Sequence, residues 1–347
     1  MKYLEFEIMQ AAGVIVNDLC KVQPGEVVSI TADTVIDESI VNAIAGEVLS
    51  AGAKPLVMWY KTPEGVGKVT DKTVPYKAVG AALGNSDVWI ELGRMWILYS
   101  SAQEIALSMT DKLRHLCLTG LVPEMMDRLF NNVDFELLAE FQRKLTEMTK
   151  NSRHVRMTTS AGTDLEFDND SNCPFYCELG LAHTPGTAYP SGQICWFPTE
   201  GSTNGTLVFD GSIHPVPGIL QTPVSLKIEN GYITEINGGV DAQKFEAWVN
   251  GLNDPLMRRM AHVCYGFHPK AILSGQCVED ERVWGATEWG IGYLPAGEES
   301  LAMQADDWLE TAGEQWRVRR REVFSLRGEA LYLWCVLTKE EDDGGTV

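Results

Sequence analysis

The stretch VVSITADTVIDESIVNAIAGEVLSAGAKPLVMW, residues 27–59, decides the fold of the first part of the chain. Val27-Val28-Ser29-Ile30 has the length and apolar character of a buried strand. Asp37 to Leu49 then carries apolar positions at helical spacing and stops at Gly52. Pro55-Leu56-Val57-Met58-Trp59 is a second apolar run. Working outward, residues 3–20 show helical spacing up to the turn Gln23-Pro24-Gly25-Glu26. On the other side, Asp87-Val88-Trp89-Ile90 reads as a third strand. A helix from about Ser101 to Met109 follows, then a short strand at Leu116-Cys117-Leu118. Strands alternating with helices predict an α/β domain with a parallel-type sheet and helices on both faces. Neither G-x-G-x-x-G nor G-x-x-x-x-G-K-[ST] occurs, so nucleotide binding has no support.

A change of pattern follows. Asp134 can cap a helix whose apolar stripe is Leu138, Phe141, Leu145 and Met148, ending at Lys150-Asn151-Ser152. Beyond it, His154-Val155-Arg156-Met157-Thr158 and Thr163-Asp164-Leu165-Glu166-Phe167 alternate polar and apolar residues. That period of two marks an antiparallel sheet with one wet face. Glycines at 162, 192, 201, 205, 211 and 231 punctuate further strands, and helical pattern returns from Ala242 to Val249. The expected organisation is an α/β N-terminal domain over residues 1–152 and an α+β, mainly antiparallel C-terminal domain over 153–347.

Composition narrows the partners. With 28 basic and 48 acidic residues the formal charge is −20, which opposes a phosphate-binding surface and so a nucleic-acid partner. The basic cluster Arg317, Arg319, Arg320 and Arg321 reads as a solvated helix face, and the run Glu340-Glu341-Asp342-Asp343 as a solubilising tail. No apolar run is long enough to span a membrane. Glu5 and Glu7 interrupt the place where an export signal has its apolar core, which predicts a cytoplasmic protein. The eight scattered cysteines then read as buried free thiols. Cys173 and Cys177 lack a second pair at zinc-finger spacing.

Six histidines are present. His115, beside a short strand, and His154, at the opening of the second domain, read as structural. His183 lies in the Gly- and Pro-rich loop Gly180–Gly186, a plausible pocket rim. His214 precedes a proline, and His262 and His268 flank Cys264-Tyr265-Gly266-Phe267. There is no H-E-x-x-H, no H-x-H, no H-x-D and no G-x-S-x-G. What remains is a carboxylate beside a turn, such as Glu200 after Pro198-Thr199, combined with an imidazole. Such a pair suits a divalent metal used for hydrolysis or oxygen chemistry.

An ordered set of segments sharpens this reading. Ala161–Phe167, Pro190-Ser191-Gly192, Phe197-Pro198-Thr199-Glu200 with Gly205-Thr206, Leu226–Ile236, Asn253-Asp254-Pro255, Ala261–Ala271 and Glu279–Gly292 occur in sequence. Together they resemble the thermophilic-aminopeptidase superfamily of metallopeptidases and its dihydroxypyridine-dioxygenase branch. The resemblance implies that Glu200 is a metal-binding glutamate. It places His262 where the peptidases carry a second glutamate and the dioxygenase branch an iron-binding histidine. It puts Glu288 in the segment that carries a histidine ligand in the peptidases. His183 and Tyr265 are implied as substrate contacts, and a homodimer is implied as the assembly. The superfamily closes its site with a C-terminal H-x-D pair. No histidine follows His268 here, and residues 331–337 offer Tyr332 and Trp334 instead.

Three functions fit. The first is a metal-dependent enzyme, with Fe(II) favoured, that opens a small aromatic or N-heteroaromatic ring with O2. The second is an aminopeptidase-like or amide-opening hydrolase using zinc or another divalent ion. The third is a non-catalytic binding homologue.

Overall fold

The computed structural model describes residues 4–170 and 173–292, with short strands at 316–317, 322–327 and 338–339. Arg319, Arg320, Arg321, Tyr332, Trp334 and the acidic run 340–343 lie outside the described residues. In chain order the first elements are α1 (Glu5–Gly13), β1 (Val27–Asp33), α2 (Glu38–Ser50), β2 (Lys54–Tyr60), α3 (Tyr76–Leu83), β3 (Val88–Glu91), α4 (Ser101–Met109), β4 (Arg114–Cys117) and α5 (Pro123–Phe130). Next come α6 (Phe135–Asn151), β5 (His154–Thr159), β6 (Asp164–Asp168), β7 (Phe175–Glu178), β8 (Gly186–Ala188), β9 (Gln193–Trp196) and β10 (Asn204–Phe209). The remainder is β11 (Ser212–Ile213), β12 (Gly218–Ile219), β13 (Val224–Glu229), β14 (Tyr232–Gly238), α7 (Val240–Gly251), β15 (Met260–Gly266) and β16 (Thr287–Ile291).

Two compact units are present, and they interleave in sequence. The first takes residues up to Glu136 together with Glu178–Ser191 and Gln276–Glu279. The second takes Leu137–Cys177, Gly192–Gly275 and the described residues from Asp280 onward. Helix α6, which the sequence pattern puts just before the domain change, therefore belongs with the second unit. Its buried Gln142 accounts for this, since its side chain donates to the Gln193 carbonyl and accepts from Gly192 N–H.

The first unit holds a five-stranded sheet in the order β2-β1-β3-β4-β8. Every pairing in it is parallel, as the strand–helix alternation predicts. Ile30, Ile90 and Leu116 sit side by side in register and are fully buried. Ile40 and Ile44 of α2 are also fully buried. The Asp37 side chain accepts from Ser39 N–H at 2.8 Å and caps α2, a contact worth about 1 kcal/mol. Arg114 opens β4 and donates to both carboxylate oxygens of Glu26 at 2.7 Å. The expected strand at 116–118 therefore starts two residues earlier, because this guanidinium is held inside by an ion pair.

The second unit is antiparallel where its strand pairings are resolved in register. One sheet has the order β14-β13-β10-β6-β5, extended by the strand Glu322–Arg327 beside β5. Another has the order β16-β15-β9-β7. An aromatic core joins them. Phe167 of β6 meets Trp196 of β9 at 6.3 Å and Trp289 of β16 edge-on at 5.6 Å. Trp196 meets Tyr265 of β15 edge-on at 4.5 Å, the offset geometry that aromatic rings prefer. Val155, Met157, Leu165 and Phe167 are buried, as the period of two requires.

Candidate metal centre

The centre is built by β15 and its two antiparallel neighbours, β9 and β16. Side chains alternate along a strand, so His262 and Cys264 share one face while Val263 and Tyr265 share the other. Cys264 is registered opposite Glu288 on β16 and opposite Cys195 on β9. His262 is registered opposite Gly290. The result is an imidazole, a carboxylate and two thiols on one patch of sheet. His262 Nε2 lies 3.1 Å from Glu288 Oε2. One ligand atom from each of Cys195, His262 and Cys264 lies within 4.8 Å of the others.

Gly290 makes this possible. A Cβ there would lie 2.1 Å from His262 Cε1 and 2.3 Å from Nδ1. The imidazole therefore occupies space that any other residue would fill. Phe197 packs edge-on against the same ring at 6.2 Å. The His262 side chain keeps 35% of its surface accessible and that of Glu288 25%, so both are part-buried, while Cys264 beside them is buried.

The electrostatics follow from this packing. Burial pulls the His262 pKa down, but the Glu288 carboxylate, as charge and as hydrogen-bond acceptor, outweighs it and lifts the value to about 10. At neutral pH the ring is therefore protonated and donates from Nε2 to Glu288. Burial raises the Glu288 pKa, and the imidazolium more than offsets this, holding the carboxyl below its usual range. Burial first, then the Cys195 thiol and the Glu288 carboxylate, push the Cys264 thiol up. Imidazole, carboxylate and thiol are all donors that divalent transition metals accept.

Of the five residues that the sequence nominates, the structure brings two together, His262 and Glu288. Glu200 sits on the turn after Phe197-Pro198-Thr199, where its 65% exposed carboxylate pairs with Arg259 Nη1 at 3.3 Å. Tyr265 points to the core face, fully buried among Trp196 and Phe267, with its hydroxyl directed to Thr149. His183 belongs to the first unit, where its Nε2 donates to the Asp18 carbonyl at 2.8 Å. Cys195 and Cys264, which the sequence reads as buried free thiols, are free, Cys264 buried and Cys195 part-buried, and both lie beside His262. The His262-Val263-Cys264 spacing carries the signal, because residues two apart on a strand share a face. The partner strand that delivers Cys195 has no such local signal.

Known proteins match this chain over most of its length. The family model for 2,5-dihydroxypyridine 5,6-dioxygenase (NicX) matches residues 12–288. The curated 2,5-dihydroxypyridine 5,6-dioxygenase of Pseudomonas putida is 30% identical over 209 residues. That stretch covers 58% of this chain and 57% of the relative, so the chain matches just over half of the relative's length. The structure of 2,5-dihydroxypyridine dioxygenase from Pseudomonas putida aligns with a TM-score of 0.73 at 20% identity. It covers 97% of this chain and 98% of that one. Wild-type AmpT from Thermus thermophilus aligns with a TM-score of 0.63 at 11% identity, covering 98% of each chain. At these identities the two structural likenesses show a shared fold. The family model and the curated relative bear out the dioxygenase branch of the resemblance read from the ordered segments. With the family model running from α1 through Glu288 on β16, the chain belongs to the 2,5-dihydroxypyridine 5,6-dioxygenase (NicX) family.

Proposed function

We propose that this chain is a metal-dependent ring-cleaving dioxygenase acting on a hydroxylated N-heteroaromatic compound of the 2,5-dihydroxypyridine type. The convergence of His262 and Glu288 at 3.1 Å, inside the segment that matches the family, carries this reading. The donor set fits a divalent metal. His262 supplies a ring nitrogen, Glu288 a carboxylate, and Cys195 and Cys264 two thiols whose atoms already cluster with the imidazole. Glu200 is the further carboxylate that the resemblance nominates. Its exposed pair with Arg259 is of a kind worth about 0–1 kcal/mol, so that carboxylate is free to change partners.

Iron(II) is the metal we favour, since when bound it supplies a redox-active centre for an electron-rich ring and dioxygen. The protein's own groups prepare the place. Before a metal binds, Glu288 accepts from His262 Nε2 and holds the plane of the imidazole; a bound metal would take the place of that proton. Phe197 closes one edge of that ring against water. Gly290 leaves the space in which the ring lies. The resemblance further supports a homodimer, which light scattering of the purified protein checks.

The test is oxygen uptake by protein loaded anaerobically with iron(II) and then given 2,5-dihydroxypyridine. The expected outcome is O2 consumption equal to substrate loss, absent from the zinc-loaded protein. Substrate turnover without O2 consumption would sink the dioxygenase reading in favour of hydrolysis.

A further inference from the structure

We propose that Glu91, His115 and Cys117 form a second cation site, in the first unit, that takes a thiophilic divalent metal of the zinc class. Glu91 ends β3 and is registered beside Cys117, which ends β4; His115 lies two residues before Cys117 on the same face. All three are buried, Glu91 completely. One ligand atom from each lies within 4.8 Å of the others. Zinc bonds of about 2.0–2.3 Å need tetrahedral donors roughly 3.3–3.8 Å apart, a spacing that small side-chain adjustments reach from this cluster.

Two donor atoms there lack hydrogen-bond partners. Glu91 Oε1 accepts from the backbone N–H groups of Ile97 and Leu98. Its other oxygen, Oε2, lies 3.1 Å from His115 Nε2 without hydrogen-bond alignment, and neither atom has a hydrogen-bond partner. Leaving two buried polar atoms unsatisfied is unfavourable, and a cation between them satisfies both. The imidazole is already oriented for this. Its Nδ1 meets Thr187 Oγ1 at 3.1 Å, and its ring stacks on Trp89 at 3.6 Å with an interplanar angle of 7°. An outer contact of this kind fixes a ligand histidine and leaves the second nitrogen for the metal.

The position in the sheet agrees. Asp33 ends β1 and Tyr60 ends β2, and both are buried. The carboxyl ends of β1 and β3, the latter carrying Glu91, flank the point where the strand order reverses, which is where open parallel sheets take their ligands. The same pattern, His-x-Cys on one strand with a Glu registered beside the Cys, builds the His262 centre. On binding, the Cys117 thiol gives up its proton to solvent and no electron is transferred. Burial, then the Glu91 carboxylate, keep that thiol protonated until a cation arrives.

Cobalt(II) titration of the full chain carrying Cys195→Ser and Cys264→Ser tests the proposal, because that protein lacks the thiols of the His262 centre. The expected result is a thiolate-to-cobalt charge-transfer band that saturates with cobalt, is bleached by zinc, and is lost on adding Cys117→Ser. Absence of the band, or its persistence unchanged without Cys117, overturns the proposal. Should the Cys117→Ser protein not fold by circular dichroism, Thr187→Val carries the test. It weakens cobalt binding by about 10–100-fold if Thr187 orients the ligand imidazole. An unchanged affinity overturns the proposal.

Discussion

The two polar clusters share one plan and differ in what lies beneath the histidine. In the first unit His115 is registered beside Trp89, which stacks on it and seals it from solvent. In the second, His262 is registered opposite Gly290, and the ring lies over the bare backbone towards Glu288. The first cluster is consequently closed, with side-chain exposures of 3% for His115 and 0% for Glu91, against 35% and 25% for His262 and Glu288. The parallel sheet of the first unit gives a ligand set shielded from bulk solvent. An antiparallel sheet with an open face gives one that substrate can reach. The residue across from the histidine thus separates an enclosed cluster from a part-exposed one.

That contrast can be broken experimentally. The largest effect is expected from His262→Ala, which removes a donor outright. Iron affinity and O2 uptake should fall by more than about 100-fold, beyond the 10–100-fold typical of outer contacts. Thermal stability should fall less than in Glu91→Ala, since the pair lost with Glu288 is part-exposed.

Glu91→Ala should do the reverse. It strips the buried carboxylate from two backbone N–H groups and from His115, a loss of about 3–5 kcal/mol in urea unfolding. Equal destabilisation by Glu288→Ala would break the comparison.

Gly290→Ala should come next, at about 10–100-fold weaker iron binding with the fold retained. Its methyl group would collide with the imidazole and turn it from Glu288. The equivalent change of surroundings in the first unit, Trp89→Phe, should leave the His262 centre unaffected.

The smallest effect is a pH dependence. The folded pKa of His262 is raised from 6.5 to about 10, so the imidazolium–carboxylate pair stabilises the metal-free protein fully below 6.5. That contribution disappears as pH rises through about 10. A cation must expel the same proton, so its affinity should rise across this window, with proton release measurable in weakly buffered titrations. A flat profile would mean that the pair does not form.

Much of the architecture was legible because it depends on local patterns. The run at residues 27–59 alone predicts adjacent parallel strands, and the alternation at residues 154–167 predicts the antiparallel sheet. What escaped were features that depend on register. The three-residue strand Gly186–Ala188 begins where the loop read over Gly180–Gly186 ends and carries no strand pattern of its own, yet it pairs with β4. His115 reads as a structural residue next to a strand, whereas it lies inside that strand and faces Glu91. In the second unit, His262 and Glu288 could be nominated singly, but only the pairing of β15 with β16 joins them. Tyr265 differs from its neighbours by one position, and one position on a strand is a change of face.

The alternation along β15 has a consequence for how such a protein can diversify. Val263 and Tyr265 anchor the strand in the aromatic core, while positions 262 and 264 present donors on the opposite side. Substitutions at the second pair can exchange nitrogen, oxygen and sulfur donors without disturbing the first. If the proposed centre binds a metal, its preference is an evolvable trait on this strand, open to point mutation while the scaffold that displays it stays constant.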